Sequence, residues 1–391
     1  MTAAPRRWTP VLILSASQGL FFCVISIVFT VSALAGAWLA PTPALATLPL
    51  ALAGAATMLA ALYAVKGFAR FGRQAVFLFG TVCGIGGGAL SAWALANMNF
   101  AAFCLTTALF GLFQGIAQYY RLAAADVAPS EADRPRAISW VVAGGLAAAF
   151  VGPYLGAFAR DLTPTPFMGS YLVAAVIGVA AFVVLAFWRE PAAARIPPLP
   201  AWKPALDEIA ESSALKRAIA FCACGFAMMV LVMNAAPLAI VGCGLSVGVA
   251  ASTIQWHLVG MFAPSFFTGG LAARFGAQRV ALAGCGIGLA GCGLAMAGET
   301  VALFHASMIA VGIGWNFAYI GGSALLVQSS SVHNRARILS FNETLTFGAV
   351  TVATLLSGFA QAAIGWAGVA VIGSAILAIA LFVAFARRPA T

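Results

Sequence analysis

The sequence predicts an all-α membrane protein with twelve transmembrane helices in two pseudo-symmetric six-helix bundles and both termini in the cytoplasm. Three observations predict this fold class: an apolar composition, a series of apolar stretches long enough to cross a bilayer, and basic residues confined to alternate gaps. Of the 391 residues, 63% are hydrophobic and 8% are charged, whereas soluble proteins are about 45–50% apolar and about 25% charged. This composition excludes a chain of soluble domains, and its apolar content excludes disorder.

The apolar stretches define the elements. A helix needs about 20 apolar residues to cross the hydrocarbon core, and twelve stretches, numbered here as spans 1 to 12, satisfy this requirement. They cover 10–37, 45–66, 74–96, 99–121, 136–159 and 167–188, then 215–241, 248–272, 278–297, 300–326, 338–362 and 366–386. The first stretch is too long for a signal-peptide core and lacks a clear cleavage site, so we expect it to remain as span 1.

The basic residues give the orientation. The gaps after odd-numbered spans contain one basic residue, Arg160, and the even gaps and both chain ends contain nearly all of the others. Since Lys and Arg accumulate in cytoplasmic loops, we expect both termini in the cytoplasm, and a miscount by one span would destroy the alternation. A nucleic-acid binder would cluster its basic residues on one face, so the net charge of +10 does not predict nucleic-acid binding.

A proline-rich polar segment, residues 189–214, separates residues 1–188 from residues 215–391. Each flanking part contains six of the predicted spans. We therefore predict an N-terminal and a C-terminal six-helix bundle joined by a cytoplasmic linker.

Two short motifs recur in the second half. Ala69–Gly72 after span 2 returns as Ala273–Gly276 after span 8, and Arg134–Trp140 after span 4 is echoed by Arg335–Phe341 after span 10. Each copy occupies the same gap of its own half. Parallel six-helix repeats with a substrate site near the bilayer midplane are a known transporter architecture.

With these motifs the chain resembles the major facilitator superfamily of transporters over essentially its whole length. The loop Val65–Arg73 keeps the second glycine, Gly72, and both arginines of the family motif G-x-x-x-D-R-x-G-R, with Ala69 replacing the aspartate. The fifth-span motif G-P-x-x-G is intact at Gly152–Gly156, and Gln114-Gly115 retains the end of R-x-x-Q-G without its arginine. The resemblance implies an alternating-access secondary transporter. The family associates the missing arginine with proton coupling, so the sequence does not support proton coupling in this chain. No catalytic constellation or P-loop is visible, so an enzyme is not expected.

Soft metal ligands lie within spans 7 and 8. Met229 and Met233 are four residues apart, as are His257 and Met261, so each pair shares one helix face. Thioether sulfur selects Cu(I), and imidazole also suits copper. Hard cations prefer oxygen ligands, and Glu343 is the only acidic residue inside a span. Either the four residues bind copper, or the methionines are ordinary core packing.

These two pairs, followed by residues 262–269, resemble the CcoA-type bacterial copper importers of the major facilitator class. The resemblance implies that Met229, Met233, His257 and Met261 bind copper as Cu(I). It also implies import across the bacterial cytoplasmic (inner) membrane, supplying copper for cytochrome c oxidase assembly. Copper would be the substrate, with no prosthetic group. We expect a monomer in the lipid bilayer and a cytoplasmic copper acceptor protein as partner.

Further residues receive secondary roles. Cys243, His305 and Met308 are predicted as an accessory transit path for the metal, against the alternative of plain packing. For gating we predict Arg70, Arg73, their repeat counterpart Arg274, and Glu343, with Glu343 pairing Arg70 or Arg73 at the inner gate.

Two other functions stay open. The first is a porter for an organic solute such as a flavin or an aromatic drug, because several aromatic and amide side chains could line a cavity for a planar ring. These side chains are Tyr119, Tyr120, Trp256, Trp315, Tyr319, Gln114 and Asn316. The run 262–269 is also found in relatives that transport organic solutes, including riboflavin. The second is a non-transporting membrane chaperone or sensor.

Overall fold

The computed structural model of the protein describes residues 8–130, 133–190 and 202–386. These residues are predominantly helical, and their helices fall into two compact units. The chain ends, which were predicted to be cytoplasmic, and residues 191–201 of the predicted linker lie outside the described residues.

The first unit contains the helices that precede the predicted linker. They are α1 (Thr9–Leu39), α2 (Leu48–Phe71), α3 (Arg73–Ala96), α4 (Phe100–Ala117), α5 (Tyr120–Asp126), α6 (Arg134–Phe158) and α7 (Met168–Ala186). A 3₁₀ turn, Ala159–Asp161, follows α6.

The second unit contains α8 (Trp202–Glu211), α9 (Ser213–Gly242), α10 (Val247–Phe262), α11 (Ser265–Phe275), α12 (Ala277–Met296), α13 (Val301–Ser329) and α14 (Arg335–Phe385). The 3₁₀ turn Pro43–Leu45 also belongs to this unit.

The predicted fold class is confirmed, although span 8 differs from the prediction. Ten helices in the described part are long and apolar enough to cross a membrane. Spans 11 and 12 both lie in α14, where non-helical backbone at Gly365 (φ 68°, ψ −173°) separates the two helices at the predicted boundary. Span 8 consists of two successive helices, α10 and α11, each too short to be counted alone. The helices therefore account for all twelve predicted spans.

Proline and glycine explain these interruptions. Pro264 lies between α10 and α11, and proline has no N–H to continue the helical hydrogen bonds. Gly72 and Gly276, the last residues of the repeated four-residue motif, have positive φ values of 81° and 94°. Glycine adopts such conformations at little cost, so the same motif makes the same sharp turn between two helices in each unit.

Small residues allow the helices of the second unit to pack closely. A Cβ atom added to Gly314 of α13 would lie 2.6 Å from the backbone nitrogen of Gly288 in α12. Close backbone approach through small residues is typical of membrane helices. This packing holds α13 in a fixed register, and α13 is the helix on which the candidate site is built.

Candidate functional site

Helix α9 presents different faces to its neighbours in the second unit. Ser212 caps its start, because the Ser212 Oγ accepts a hydrogen bond from the Leu215 nitrogen at 3.3 Å. Cys222 lies against α13, with its Sγ 3.8 Å from the Tyr319 carbonyl oxygen, and a Cβ at Gly225 would lie 3.0 Å from the Ala318 side chain. Residues four positions apart share a face, so the α13-facing side of α9 continues from Gly225 through positions 229 and 233.

The four predicted copper ligands are therefore all on helices that pack against α13. Met229 and Met233 are both buried, and helix periodicity from Cys222 and Gly225 assigns them to the α13-facing side of α9. On α10, His257 is fully buried, and the carbonyl of Met261 accepts a 2.7 Å hydrogen bond from the Asn316 amide. The convergence of the four side chains on one ion and copper binding by them stay predictions.

The imidazole of His257 has a defined orientation. Its Nδ1 atom lies 2.7 Å from the carbonyl oxygen of Met308. Since a carbonyl only accepts hydrogen bonds, the neutral ring carries its hydrogen on Nδ1 and a lone pair on Nε2. The Nε2 atom is buried and has no hydrogen-bond partner among the residues that the structure describes, so it is available to a ligand.

The predicted accessory residues have protein partners. The Cys243 thiol lies 3.1 Å from a carboxylate oxygen of Glu299. Desolvation and this carboxylate raise the pKa of the Cys243 thiol to about 11, which disfavours the thiolate that binds metals. Both ring nitrogens of His305 are within hydrogen-bond distance of protein oxygens, those of Val301 and Ser252. In the described ranges no group of three or more His, Cys, Asp or Glu residues could hold a metal ion.

The predicted gating residues also have local contacts. Arg73 pairs with Asp126 at 2.6 Å and with Glu190 at 3.7 Å. The guanidinium groups of Arg70 and Arg274 each lie 5.2 Å from the ring centroid of the following residue, a phenylalanine in both cases, so the repeated motif has the same local geometry twice. The pairing of Glu343 with Arg70 or Arg73 stays a prediction.

An aromatic cluster occupies the contact between α9, α10, α13 and α14. It consists of Phe226, Phe262, Trp315, Tyr319 and Phe347. The rings of Trp315 and Tyr319 are stacked, with centroids 5.4 Å apart and an interplanar angle of 8°. The centroid of the Phe226 ring lies 5.2 Å from that of Trp315 and 5.5 Å from that of Tyr319. The Phe262 ring lies 6.4 Å from Trp315, and the Phe347 ring lies 6.0 Å from Phe226.

Polar atoms border this aromatic cluster. The Nε1 atom of Trp315 is buried and has no hydrogen-bond partner in the described part of the chain. The Tyr319 hydroxyl donates a 3.1 Å hydrogen bond to the carboxylate of Glu343. Aromatic rings with a donor and a carboxylate nearby have the chemistry to recognise a planar organic ring that has polar edges.

Sequence reasoning identified only part of the cluster. Trp315 and Tyr319 were predicted as side chains that could line a cavity for a planar ring, but Phe226, Phe262 and Phe347 were missed. Their contacts join distant parts of the chain, and no local pattern in the sequence indicates them. Glu343 was noticed for its position inside a span and was assigned to gating alone.

Other residues predicted to line a cavity for a planar ring have different positions. Asn316 is fully buried and directs its amide to Met261, Ser265 and Thr268, so it is a structural residue. Tyr120 is fully buried and packs edge-on against Phe77. These two predictions are corrected, because both side chains are used within the protein core.

The remaining three residues of that prediction lie outside the cluster. The Tyr119 hydroxyl donates to the carbonyl of Ala61 at 3.0 Å. Gln114 is half-buried in the first unit. Trp256 is 46% exposed on α10.

Apolar helices of membrane-crossing length are typical of a multi-pass membrane protein. No family model matches the chain. The riboflavin transporter RfnT of Brucella anthropi is 36% identical over 369 residues, with 94% of this chain and 92% of the relative covered. The MFS-type transporter YdeG of Bacillus subtilis is 29% identical over 379 residues, with 90% and 83% covered. The crystal structure of the nucleoside transporter NupG has a TM-score of 0.74 at 16% identity, with 95% of this chain and 98% of that chain covered.

The chain belongs to the major facilitator superfamily of transporters. Its relatives and structural neighbours are transporters and not enzymes.

Proposed function

We propose that the protein is a secondary transporter that imports a planar organic solute of the flavin class. The observation that supports this proposal most strongly is the aromatic cluster, with its parallel pair Trp315 and Tyr319. A flavin ring system can stack on such a surface, and aromatic pairs gain about 0.5–1.5 kcal/mol beyond the free energy of area burial. The relative RfnT, described as a riboflavin transporter, supports riboflavin as the first solute to test.

The proposal includes a location and an orientation. Basic residues concentrate in the even-numbered gaps, and such residues mark the cytoplasmic side. We accordingly place the protein in the bacterial cytoplasmic membrane with both termini in the cytoplasm, acting without a prosthetic group.

Uptake of radiolabelled riboflavin tests this function in bacteria that cannot synthesise riboflavin. Cells expressing the wild-type chain should accumulate the label, and Trp315→Ala should lower the uptake rate about tenfold, since a lost stacking surface of about 1.4 kcal/mol corresponds to a factor of ten. Trp93→Ala is the matched control, because Trp93 is an exposed residue of α3 outside the aromatic cluster. Uptake by wild-type cells no faster than by cells with an empty vector would refute the proposal.

Copper import is the second candidate function, and one observation favours it. The His257 Nε2 atom is buried without a partner among the described residues, while its Nδ1 is fixed by the Met308 carbonyl. Metal-binding histidines usually have their second ring nitrogen fixed in this way. Met229, Met233 and Met261 would supply the thioether ligands that Cu(I) prefers, and the ion would then pass to a cytoplasmic acceptor for oxidase assembly.

A further inference from the structure

Glu343 is an unusual residue for its position. It is the only Asp or Glu inside the twelve predicted spans, and it is half-buried on α14. Charged side chains inside a membrane are costly, and they usually face the protein interior or a water-filled cavity and have a function. The carboxylate must therefore have a role that compensates for its cost.

The contacts of Glu343 place it at the edge of the aromatic cluster. Its carboxylate accepts the hydrogen bond of Tyr319, whose ring forms the stacked pair with Trp315. An ionised carboxylate only accepts hydrogen bonds, and it has about four lone-pair sites for them. A ring lying on the cluster would thus have an acceptor group at one edge.

Trp315 contributes the complementary group. Its side chain is 9% exposed, and its Nε1 atom has no hydrogen-bond partner within the described residues. The indole N–H is a donor only. Leaving a buried donor unsatisfied costs about 1–3 kcal/mol, and a bound ligand with an acceptor atom would remove that cost.

We propose that Glu343 accepts a hydrogen bond from the bound solute while the Trp315 N–H donates one, so that the site selects planar rings with an N–H or O–H donor. This inference rests on the proposed function, because it concerns recognition of the solute at the aromatic cluster. A flavin offers the donor from two sources, the imide N–H of its ring and the hydroxyls of its ribityl chain. A carboxylate that serves gating alone would leave the equilibrium affinity for the solute unchanged.

Equilibrium titration of the purified full-length protein tests the proposal, with quenching of flavin fluorescence as the signal. Three ligands are compared: riboflavin, lumiflavin, which lacks the ribityl chain, and 3-methylriboflavin, which lacks the imide N–H. Glu343→Met removes the acceptor while keeping the side-chain length, and Glu343→Gln restores a neutral acceptor. Glu211→Met is the control, because Glu211 is a carboxylate of α8 outside the predicted spans.

Glu343→Met should raise the Kd for riboflavin about tenfold or more, since hydrogen bonds to charged groups are the stronger ones. Glu343→Gln should give an intermediate Kd, and Glu211→Met should give the wild-type value. If the imide N–H is the donor, Glu343→Met weakens the binding of lumiflavin and leaves the binding of 3-methylriboflavin unchanged. If a ribityl hydroxyl is the donor, Glu343→Met weakens the binding of 3-methylriboflavin and leaves the binding of lumiflavin unchanged. Either pattern supports the proposal.

Unchanged Kd values for all three ligands in Glu343→Met would overturn this inference, while riboflavin binding by the wild-type protein would leave the proposed function standing. If the wild-type protein binds none of the three ligands, both are refuted. Should Glu343→Met fail to fold, Glu343→Asp provides the same comparison, because it keeps the charge and withdraws the carboxylate by one methylene. Wild-type Kd values in that variant would equally overturn the proposal.

Discussion

At the scale of single residues, two of the buried polar atoms in the second unit without hydrogen-bond partners lie where the two candidate functions would need a ligand contact. The Trp315 Nε1 atom borders the aromatic cluster, and the His257 Nε2 atom lies on α10; both lack hydrogen-bond partners in the part of the chain that the structure describes. Buried polar atoms are nearly always hydrogen-bonded in native proteins. The first favours an organic ring with an acceptor atom, and the second favours a metal.

Two neighbouring methionines of α9 make the copper hypothesis testable. Met229 and Met228 are both buried, but only Met229 is on the side that faces α13, while the Met228 methyl group lies near Gly288 of α12. If copper binds, Met229→Ala should weaken Cu(I) binding to the purified protein about tenfold, a usual effect of disturbing a metal site, and Met228→Ala should not. Equal Cu(I) affinities in the two variants, measured by chelator competition, would exclude Met229 as a ligand.

Three pairs among the predicted residues of the second unit share one property. Met229 with Met233, His257 with Met261, and Trp315 with Tyr319 are pairs at i and i+4, so helix geometry alone places each pair on one face. The partner of His257, the Met308 carbonyl, and the ring of Phe226 could not be predicted in this way. Their contacts depend on the register between separate helices, which side-chain packing decides.

At the scale of elements, the break in span 8 is stabilised by a side chain from α13. Pro264 separates α10 from α11, and Asn316 of α13 donates to the Met261 carbonyl at 2.7 Å and to the Ser265 hydroxyl at 2.6 Å. The Asn316 carbonyl oxygen in turn accepts from the Thr268 hydroxyl at 2.7 Å. One amide therefore joins both sides of the break to α13.

Replacing this amide should destabilise the protein. Asn316→Ala leaves buried polar groups at the break without partners, each costing about 1–3 kcal/mol, so the thermal unfolding midpoint in detergent should fall by several degrees. Asn97→Ala is the control, because the Asn97 amide donates only within its own exposed helix end, to the Trp93 carbonyl. An unfolding midpoint for Asn316→Ala equal to that of Asn97→Ala would contradict this account.

Helix α8 was not predicted, because its stretch of sequence belongs to the polar, proline-rich segment 189–214. It packs on the second unit through Ala205, which is buried with Leu215 and Ile338. Glu208 accepts hydrogen bonds of 2.7 Å from the Ser331 nitrogen, the Ser331 hydroxyl and the Asn334 amide. A short helix is marginal by itself in water, so these tertiary contacts determine its stability.

The docking of α8 should depend on pH. Desolvation acts to raise the pKa of Glu208, but the hydrogen bonds from Ser331 and Asn334 outweigh it and leave the pKa below its usual value. Because the Glu208 pKa is lower in the docked state, the ionised carboxylate stabilises docking at pH values above about 4–4.5, the usual range of carboxyl pKa values. This stabilisation is lost as the pH falls through the lower pKa of the docked state.

Amide hydrogen exchange of α8 measures this effect. Glu208→Ala should speed exchange at neutral pH by about 2–5-fold, because exposed charged contacts contribute about 0.2–1 kcal/mol, and Asp207→Ala on the same helix should not. Protection should also decrease in the wild-type protein on acidification below the carboxyl range, and less so in Glu208→Ala. Identical exchange in the two variants would show that Glu208 does not hold the helix.

At the scale of the whole molecule, hydropathy and charge predicted the number of spans because the bilayer imposes a length on each of them. The boundary between spans 11 and 12 was predicted, and the backbone division of α14 at Gly365 falls there. Hydropathy did not predict the break between α10 and α11, because a kink changes backbone geometry without changing how apolar a segment is. The substrate was the least predictable property. The same fold hosts many solutes, and specificity depends on a few side chains in one region.

Parallel uptake assays in proteoliposomes containing the purified protein test the central claim most directly. One assay uses radiolabelled riboflavin and the other uses radioactive copper, supplied as Cu(I). The flavin-class proposal predicts riboflavin uptake that unlabelled riboflavin competes away and that Trp315→Ala strongly reduces, with copper uptake no higher than in empty liposomes. Copper accumulation by the wild-type protein without any riboflavin uptake would contradict it.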